Sequence, residues 1–188
     1  MDYENHIKAY LPQNEQERVD KENMLDYIRQ YRHNVLLRDN VFAHITSSGF
    51  ILNRSLDKAL MIHHNIRDSW SWTGGHADGD DDLLKVALKE AREETGVITI
   101  APLFDSIASL DILTVSGHYR KGVFVSAHLH LSVAYLLVAD EGEVLKVKPD
   151  ENSGVAWFDL DNFNSNMFSA HDIYLYGKLI ERAGRSLL

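Results

Sequence analysis

The sequence predicts a mixed-sheet α/β architecture in which helices cover the sheet. Three observations lead there. Short β-rich runs bounded by turn residues recur along most of the chain. A few segments with helical periodicity are mixed among them. And 188 residues, 45% of them apolar, suffice for one domain with a sizeable core.

The elements follow in order. Pro12 precedes a polar stretch with apolar residues at Val19, Met24, Leu25 and Ile28, which predicts a helix over 13–31 with a narrow buried stripe. It reads as an arm, dividing the chain into an N-terminal helical arm, 1–35, and a main domain, 36–188. Strands are expected at 41–47, 50–53 and 60–64, with Ser48-Gly49 and Leu56-Asp57 as breaks. A glycine-bearing loop, 71–79, leads into a helix over 81–95. Further strands are expected at 99–102, 107–115, 123–138, 144–147 and 155–158, and a closing helix at 173–182.

Composition excludes several function classes. The formal net charge is −9 and no basic stripe is present, so a nucleic-acid polymer is not an expected partner. An acidic surface gives no attraction to anionic membranes. There is no cysteine, which excludes disulfides, thiolate-ligated zinc and thiol nucleophiles. The start, Met1-Asp2-Tyr3-Glu4-Asn5, lacks the basic and apolar regions of a signal peptide, and the longest apolar run, 133–139, is far too short to span a bilayer. A soluble cytoplasmic protein is expected. A highly anionic substrate would need a local solution, such as a bound cation.

The helix over 81–95 breaks its own rules. Asp80 is the expected N-cap, Asp81 and Asp82 suit the positive end of the helix dipole, and Asp81 stands four residues before Lys85. Gly96 is the expected left-handed C-cap. Leu84, Leu88, Ala91 and Thr95 fall on one side, which should face the core, and Glu90, Glu93 and Glu94 share a separate arc. These glutamates are poorly placed for stability. Glu93 and Glu94 sit at the negative end of the dipole, and Glu90 and Glu94 form a like-charge pair one turn apart. Two carboxylates about 5 Å apart repel by roughly 3 kcal/mol at an effective dielectric near 20. Lys89 offers the local relief. A solvated acidic face is the bland alternative, but violation of local rules beside a glycine loop points to function. Clustered hard oxygen ligands are what Mg²⁺ or Mn²⁺ requires.

The segment resembles the Nudix box, G-x5-E-x7-R-E-U-x-E-E-x-G-U, with U a bulky aliphatic residue. It aligns without gaps as Gly75, Asp81, Lys89, Glu90, Ala91, Glu93, Glu94, Gly96 and Val97, and spans 23 of the 188 residues. Asp81 stands for Glu, Lys89 for Arg, and Ala91 is smaller than usual. The run from Asn65 to Gly79, and Trp157 after Asp150-Glu151, also look like bacterial Nudix proteins.

The resemblance implies an α/β/α sandwich with a mixed sheet and a hydrolase that cleaves nucleoside diphosphates linked to another moiety. It implies that Glu90, Glu93, Glu94 and the Gly74 carbonyl hold Mg²⁺ or Mn²⁺, with Glu90 the favoured general base. Asp81 and Lys89 are the expected charged support, weakened because Lys lacks the bidentate fork of Arg. Glu151 is a candidate additional carboxylate, and His76, by its position inside the box loop, is a candidate for contact with substrate phosphate. His128 and His130 share a strand face and are candidates for substrate contact, with ordinary packing or surface roles as the alternative. Two histidines at this spacing can also bind a transition metal, but the spacing indicates no third ligand. Trp70, Trp72 and Trp157 are either core residues or base-stacking platforms. The expected partner is a small-molecule diphosphate, and a homodimer is left open. The alternative reading is a non-catalytic Nudix-like module that senses a nucleotide or ADP-ribose. Such modules usually lose box carboxylates, and this chain keeps all three. The isoprenoid-isomerase branch uses a cysteine that this chain lacks.

Overall fold

The structure, a computed structural model, describes residues 3–120, 122–164 and 166–184. Met1 and Asp2, the start of the polar N-terminus, lie outside the described residues. In chain order the elements are α1 Tyr3–Ala9, α2 Glu15–Tyr31, β1 Ala43–Asn53, β2 Lys58–His64, β3 Ser69–Ser71, β4 Thr73–His76, α3 Leu83–Thr95, β5 Ala101–Pro102, β6 Ser109–Val115, β7 His118–Arg120, β8 Val123–Val125, β9 His128–Ala139, β10 Asn152–Asp159 and α4 Ala170–Arg182. The central sheet runs β10-β2-β1-β9-β5, with β3 on β2, β4 on β1 and β6 on β9. β1 and β9 are parallel along their whole length, from Ala43 opposite Leu129 to Asn53 opposite Ala139. The other pairs are antiparallel, so the sheet is mixed. β7 and β8 form a separate hairpin.

Both faces of the sheet are covered, which explains why every residue of β1 is buried. One face packs Ile45, Ile51, Leu60, Val133, Tyr135 and Leu137 against Ile7, Met24 and Ile28 of the N-terminal helices and against Leu83, Ala87 and Ala91 of α3. The other face packs Phe50, Leu52, Met61, Ala134 and Leu136 against Leu175, Tyr176, Leu179 and Ile180 of α4. Neighbours in β1 and β9 alternate between these clusters, as the two-residue period of a strand requires. The result is the α/β/α sandwich. The segment read as an arm is seated on the sheet. Met24 and Ile28 are fully buried, and Asp20 of α2 accepts a hydrogen bond from the Ile112 amide of β6 at 2.9 Å. Val19 is exposed, and the helix's inward position nearby is taken by Glu17, which an apolar pattern does not reveal.

Several local expectations are corrected. Ser48-Gly49 does not break β1. Gly49 lies opposite Thr73 and Tyr135, and a Cβ there would come within 2.5 Å of Leu137 Cδ1, so glycine serves close packing inside the strand. The segment 71–79 is largely β-paired, since β4 joins β1. The run 123–138 is broken into β8 and β9. Residues 144–147 form no strand, because Val144 and Val147 face solvent and the Lys146 amide bonds the Thr95 carbonyl at the end of α3. The N-cap of α3 is Asp82, with its side chain accepting from the Lys85 amide, and the Lys85 ammonium pairs with Asp80 at 2.7 Å. Leu84 and Leu88 are only half-buried. Both pack against the core, and the expected Ala91 and Thr95 are fully buried, joined by Leu83, Val86 and Ala87.

Candidate active site

α3 ends where the sequence places its stop. Gly96 has φ 74°, a conformation that costs glycine little, and its amide closes on the Arg92 carbonyl at 2.9 Å. This sets the last turn of α3 against β4, which carries Gly74 and Gly75.

Glu94 is the least expected member of the acidic arc. It points inward, 2% exposed, and its Oε2 accepts a hydrogen bond from the Gly74 amide at 2.9 Å. Burial pushes its carboxyl up to about 8, and the negative charges of Glu90 and Glu151 push the same way, against the Gly74 hydrogen bond and the more distant Lys148. Glu90 lies beside Gly75, where a Cβ would meet its Cδ at 2.6 Å. A Cβ on Gly74 would meet Ser48 Oγ at 2.6 Å and the Ser47 carbonyl at 2.9 Å. Gly75 thus gives the helix room to approach β4, Gly74 lets β4 lie close on β1, and neither is there for a left-handed turn.

Glu93 faces outward. Lys148 Nζ donates to it at 3.0 Å, Lys89 stands at 3.7 Å, and the Lys148 contact holds its carboxyl below the usual range. Lys148 also pairs with Glu151 at 3.1 Å. Burial disfavours the Lys148 charge, but Glu93 and Glu151 more than offset this and raise its affinity for the proton. Asn152, fully buried, donates from Nδ2 to the Glu94 carbonyl at 2.9 Å and accepts from the Lys148 amide at 3.2 Å, tying the 148–152 loop to the end of α3.

The structure therefore sets Glu94 on Gly74 and Glu90 on Gly75, and links Glu93 to Glu151 through Lys148; these glutamates do not converge on one point as the histidines below do. Lys89 reaches Glu90 at 3.2 Å as well as Glu93, so its partners lie on its own helix. Asp81 is exposed, just outside the Asp82 cap. Lys148 and Asn152 were not among the expected site residues. Both arrive from a loop more than 50 positions away, and no local spacing announces them. Trp72 is a core residue against Tyr176, and Trp70 packs on Phe158.

The histidines are drawn together more closely than spacing suggested. His128 and His130 are joined by His44 from β1 and His76 from β4, and one ligating nitrogen from each lies within 4.8 Å of all the others. His44 is opposite His130 in the parallel pairing, and His76 is opposite Thr46, two residues from His44. Burial, together with the charge of Arg38 and the neighbouring imidazoles, pushes His76 down to about 2. Burial and neighbouring imidazoles push His130 down to about 3. Both shifts favour the neutral form of the His76 and His130 rings.

A NUDIX-domain family model matches residues 43–177. The chain belongs to the Nudix family. Nudix hydrolases act on nucleoside-diphosphate derivatives, so membership implies hydrolysis of a pyrophosphate bond. Among solved structures, this Nudix chain is similar to a MutT protein from Methanosarcina mazei Go1, with TM-score 0.54 and 18% identity over 78% of this chain and 99% of that one. It is also similar to a NUDIX-family hydrolase from Clostridium perfringens, with TM-score 0.53 and 19% identity over 74% and 97%. An Ap4A hydrolase from C. elegans matches at TM-score 0.53 and 15% identity over 74% and 97%. At these identities the likeness establishes the shared fold. Among curated proteins, the mRNA-decapping enzyme subunit 2 of Saccharomyces cerevisiae is 23% identical over 128 residues, 66% of this chain. The match spans only 12% of that protein's length. Among the described residues, no helix is long and apolar enough to cross a membrane.

Proposed function

We propose that this Nudix chain is a Mg²⁺- or Mn²⁺-dependent diphosphohydrolase of a small nucleoside-diphosphate derivative, with Glu90, Glu93, Glu94 and the Gly74 carbonyl holding the cation. The observation that carries this reading is Glu94: a buried carboxylate whose hydrogen-bond donor is one backbone amide and whose close neighbours are other carboxylates. Such a group costs stability unless a cation is supplied. The donor set is all hard oxygen, which fits Mg²⁺ or Mn²⁺. When bound, the cation would lower the pKa of an attacking water and offset charge building on the departing phosphate.

The chain's own residues supply the rest. Glu90 accepts the proton of the attacking water, being beside Gly75 on the same strand as Gly74. Lys148 and Lys89 hold the Glu93 carboxyl below the usual range at the rim, while Lys148 also pairs with Glu151 and Lys89 with Glu90. Asp81 and Lys89 are charged support, and Glu151 is an additional carboxylate. The chain acts on a small molecule in the cytoplasm. Residues 1–35 form a helical addition to a catalytic domain, 36–188, consistent with the family match beginning at residue 43.

The test is a panel of ADP-ribose, nucleotide sugars, dinucleotides and nucleoside triphosphates, scored for released phosphate or monophosphate. At least one compound should turn over with Mg²⁺ or Mn²⁺, stop with chelator and resume on adding the ion back. Undiminished turnover in metal-free protein would remove the reading.

A further inference from the structure

Outside the carboxylate site, the described residues hold one group of side chains whose ligating atoms converge closely enough to share an ion: His44, His76, His128 and His130. They come from three adjacent strands, β4, β1 and β9, at one end of the sheet. The registers that join His44 to His130 and Thr46 to His76 place all four on one patch. Their ring centroids are separated by 4.9 to 5.3 Å in each of the five close pairs. An ordinary cluster of buried histidines would satisfy its nitrogens with carbonyls, hydroxyls or carboxylates. Here His44 Nδ1 and His128 Nδ1 meet carbonyls, while one nitrogen of each of the four rings lies within 4.8 Å of all the others.

Two of the rings have a defined tautomer. His44 Nδ1 lies 3.0 Å from the Asn40 carbonyl and His128 Nδ1 lies 2.8 Å from the Ser126 carbonyl. A carbonyl can only accept, so Nδ1 carries the proton in both rings and Nε2 presents a lone pair. That is the outer-shell arrangement that orients metal-binding histidines and raises their basicity. His44 Nε2 is fully buried and has no hydrogen-bond partner. His128 Nε2 faces His130 Nε2 at 3.3 Å. A tetrahedral ion with nitrogen ligands at about 2.0–2.1 Å sets ligand-to-ligand distances of about 3.3–3.4 Å. The His128–His130 pair already stands at that spacing, and the 4.8 Å limit on the others requires only side-chain closure. The nearby Arg38 guanidinium is held by both oxygens of Asp78 at 2.7 Å, so its charge is compensated.

We infer that His44, His76, His128 and His130 form a four-imidazole site for a first-row transition dication of the Zn²⁺ type, separate from the carboxylate site for the hard cation. Imidazole selects Zn²⁺, Ni²⁺ or Cu²⁺ over Mg²⁺, while the glutamates have the opposite preference. Four protein ligands close the coordination shell, which makes this a structural site. It pins the outer end of β4 to β1 and β9, two residues from Gly74. Its donors are not those of the proposed hydrolase centre, so the two readings fail separately.

The test uses tag-free, full-length, metal-stripped protein and Zn²⁺ alone, titrated in competition with a chromogenic chelator. Wild type should bind one Zn²⁺ per chain and melt at a higher temperature with it. His128→Gln and His130→Gln, both half-exposed positions, should each bind at least about 100-fold more weakly, beyond the 10–100-fold typical of lost outer-shell partners. Glu94→Gln should bind Zn²⁺ as wild type does. Co²⁺ loaded into wild type should give the visible absorption of a four-coordinate nitrogen site, absent in His130→Gln. Absence of Zn²⁺ binding in the micromolar range, undiminished binding in both histidine variants, or loss of the ion in Glu94→Gln with retention in His130→Gln would each overturn the inference.

Discussion

Glu17 and Glu94 are both buried carboxylates, and their surroundings are opposite. Glu17, fully buried, receives Arg182 on both oxygens at 2.6 Å, the Tyr10 hydroxyl at 2.8 Å and the Gln13 amide at 3.0 Å, with Lys178 at 3.3 Å. Burial alone would push its carboxyl up, but the hydrogen bonds from Arg182, Gln13 and Tyr10 outweigh it and hold it below the usual range. Glu94 has one amide and like-charged neighbours, and it is pushed up. A carboxylate buried for structure arrives with its cations. One buried for a ligand leaves the positive charge to be supplied.

Glu17→Gln should produce the largest stability loss. It leaves Arg182 and Lys178 buried beside Asp111 with half their counter-charge gone. Breaking such a pair costs about 3–5 kcal/mol. Denaturant unfolding should show this, while turnover per folded molecule stays within a few-fold. A large catalytic loss without a stability loss would erase the distinction between the two carboxylates.

Glu94→Gln should do the reverse. Turnover on any substrate found in the panel should fall roughly 10²-fold or more, with the folded state intact. Near-normal turnover would show that the burial of Glu94 has another purpose.

The smallest effect is a control on the same helix. Leu88 is half-buried, so Leu88→Ala should cost about 1–2 kcal/mol, below the 2–5 kcal/mol expected for a fully buried residue such as Met24. Equal losses in thermal or denaturant melts would mean that the outer side of α3 is packed more tightly than its exposure indicates.

The same contrast shows what was legible in the sequence. The span of α3, its Gly96 stop and the misplaced charges of Glu90, Glu93 and Glu94 are local facts, fixed by spacing within one helix. The mixed sheet and its covering helices were also readable, since strand period and turn residues are local. The buried side of α3 was readable in part: Ala91 and Thr95 are buried and Leu84 and Leu88 pack on the core at half exposure, but apolar periodicity does not reveal that Glu94 also turns inward. The partnership of Glu17 with Arg182 joins residues 165 positions apart, and Lys148 reaches Glu93 across 55. His44 meets His130 only because β1 and β9 pair in parallel, a register that no turn announces. Long-range pairing, rather than residue type, was the missing information.

The most direct test of the central claim, that Glu94 is buried for a cation, is thermal melting of wild type and Glu94→Gln across pH, with and without Mg²⁺. In metal-free wild type the folded carboxyl binds its proton up to about pH 8, while the unfolded chain releases it near 4.5. The stability from this group is therefore complete below about pH 4.5 and is lost as pH rises through 8. The depressed His44, His76 and His130 act oppositely, removing stability as pH falls below about 6.5, so the difference between the two proteins isolates Glu94. Metal-free Glu94→Gln should melt at or above wild type at pH 8.5, with the gap closing toward pH 5. Mg²⁺ should raise the melting temperature of wild type and leave Glu94→Gln unmoved. A metal-free Glu94→Gln that melts far below wild type at pH 8.5, with Mg²⁺ shifting both proteins equally, would contradict the account.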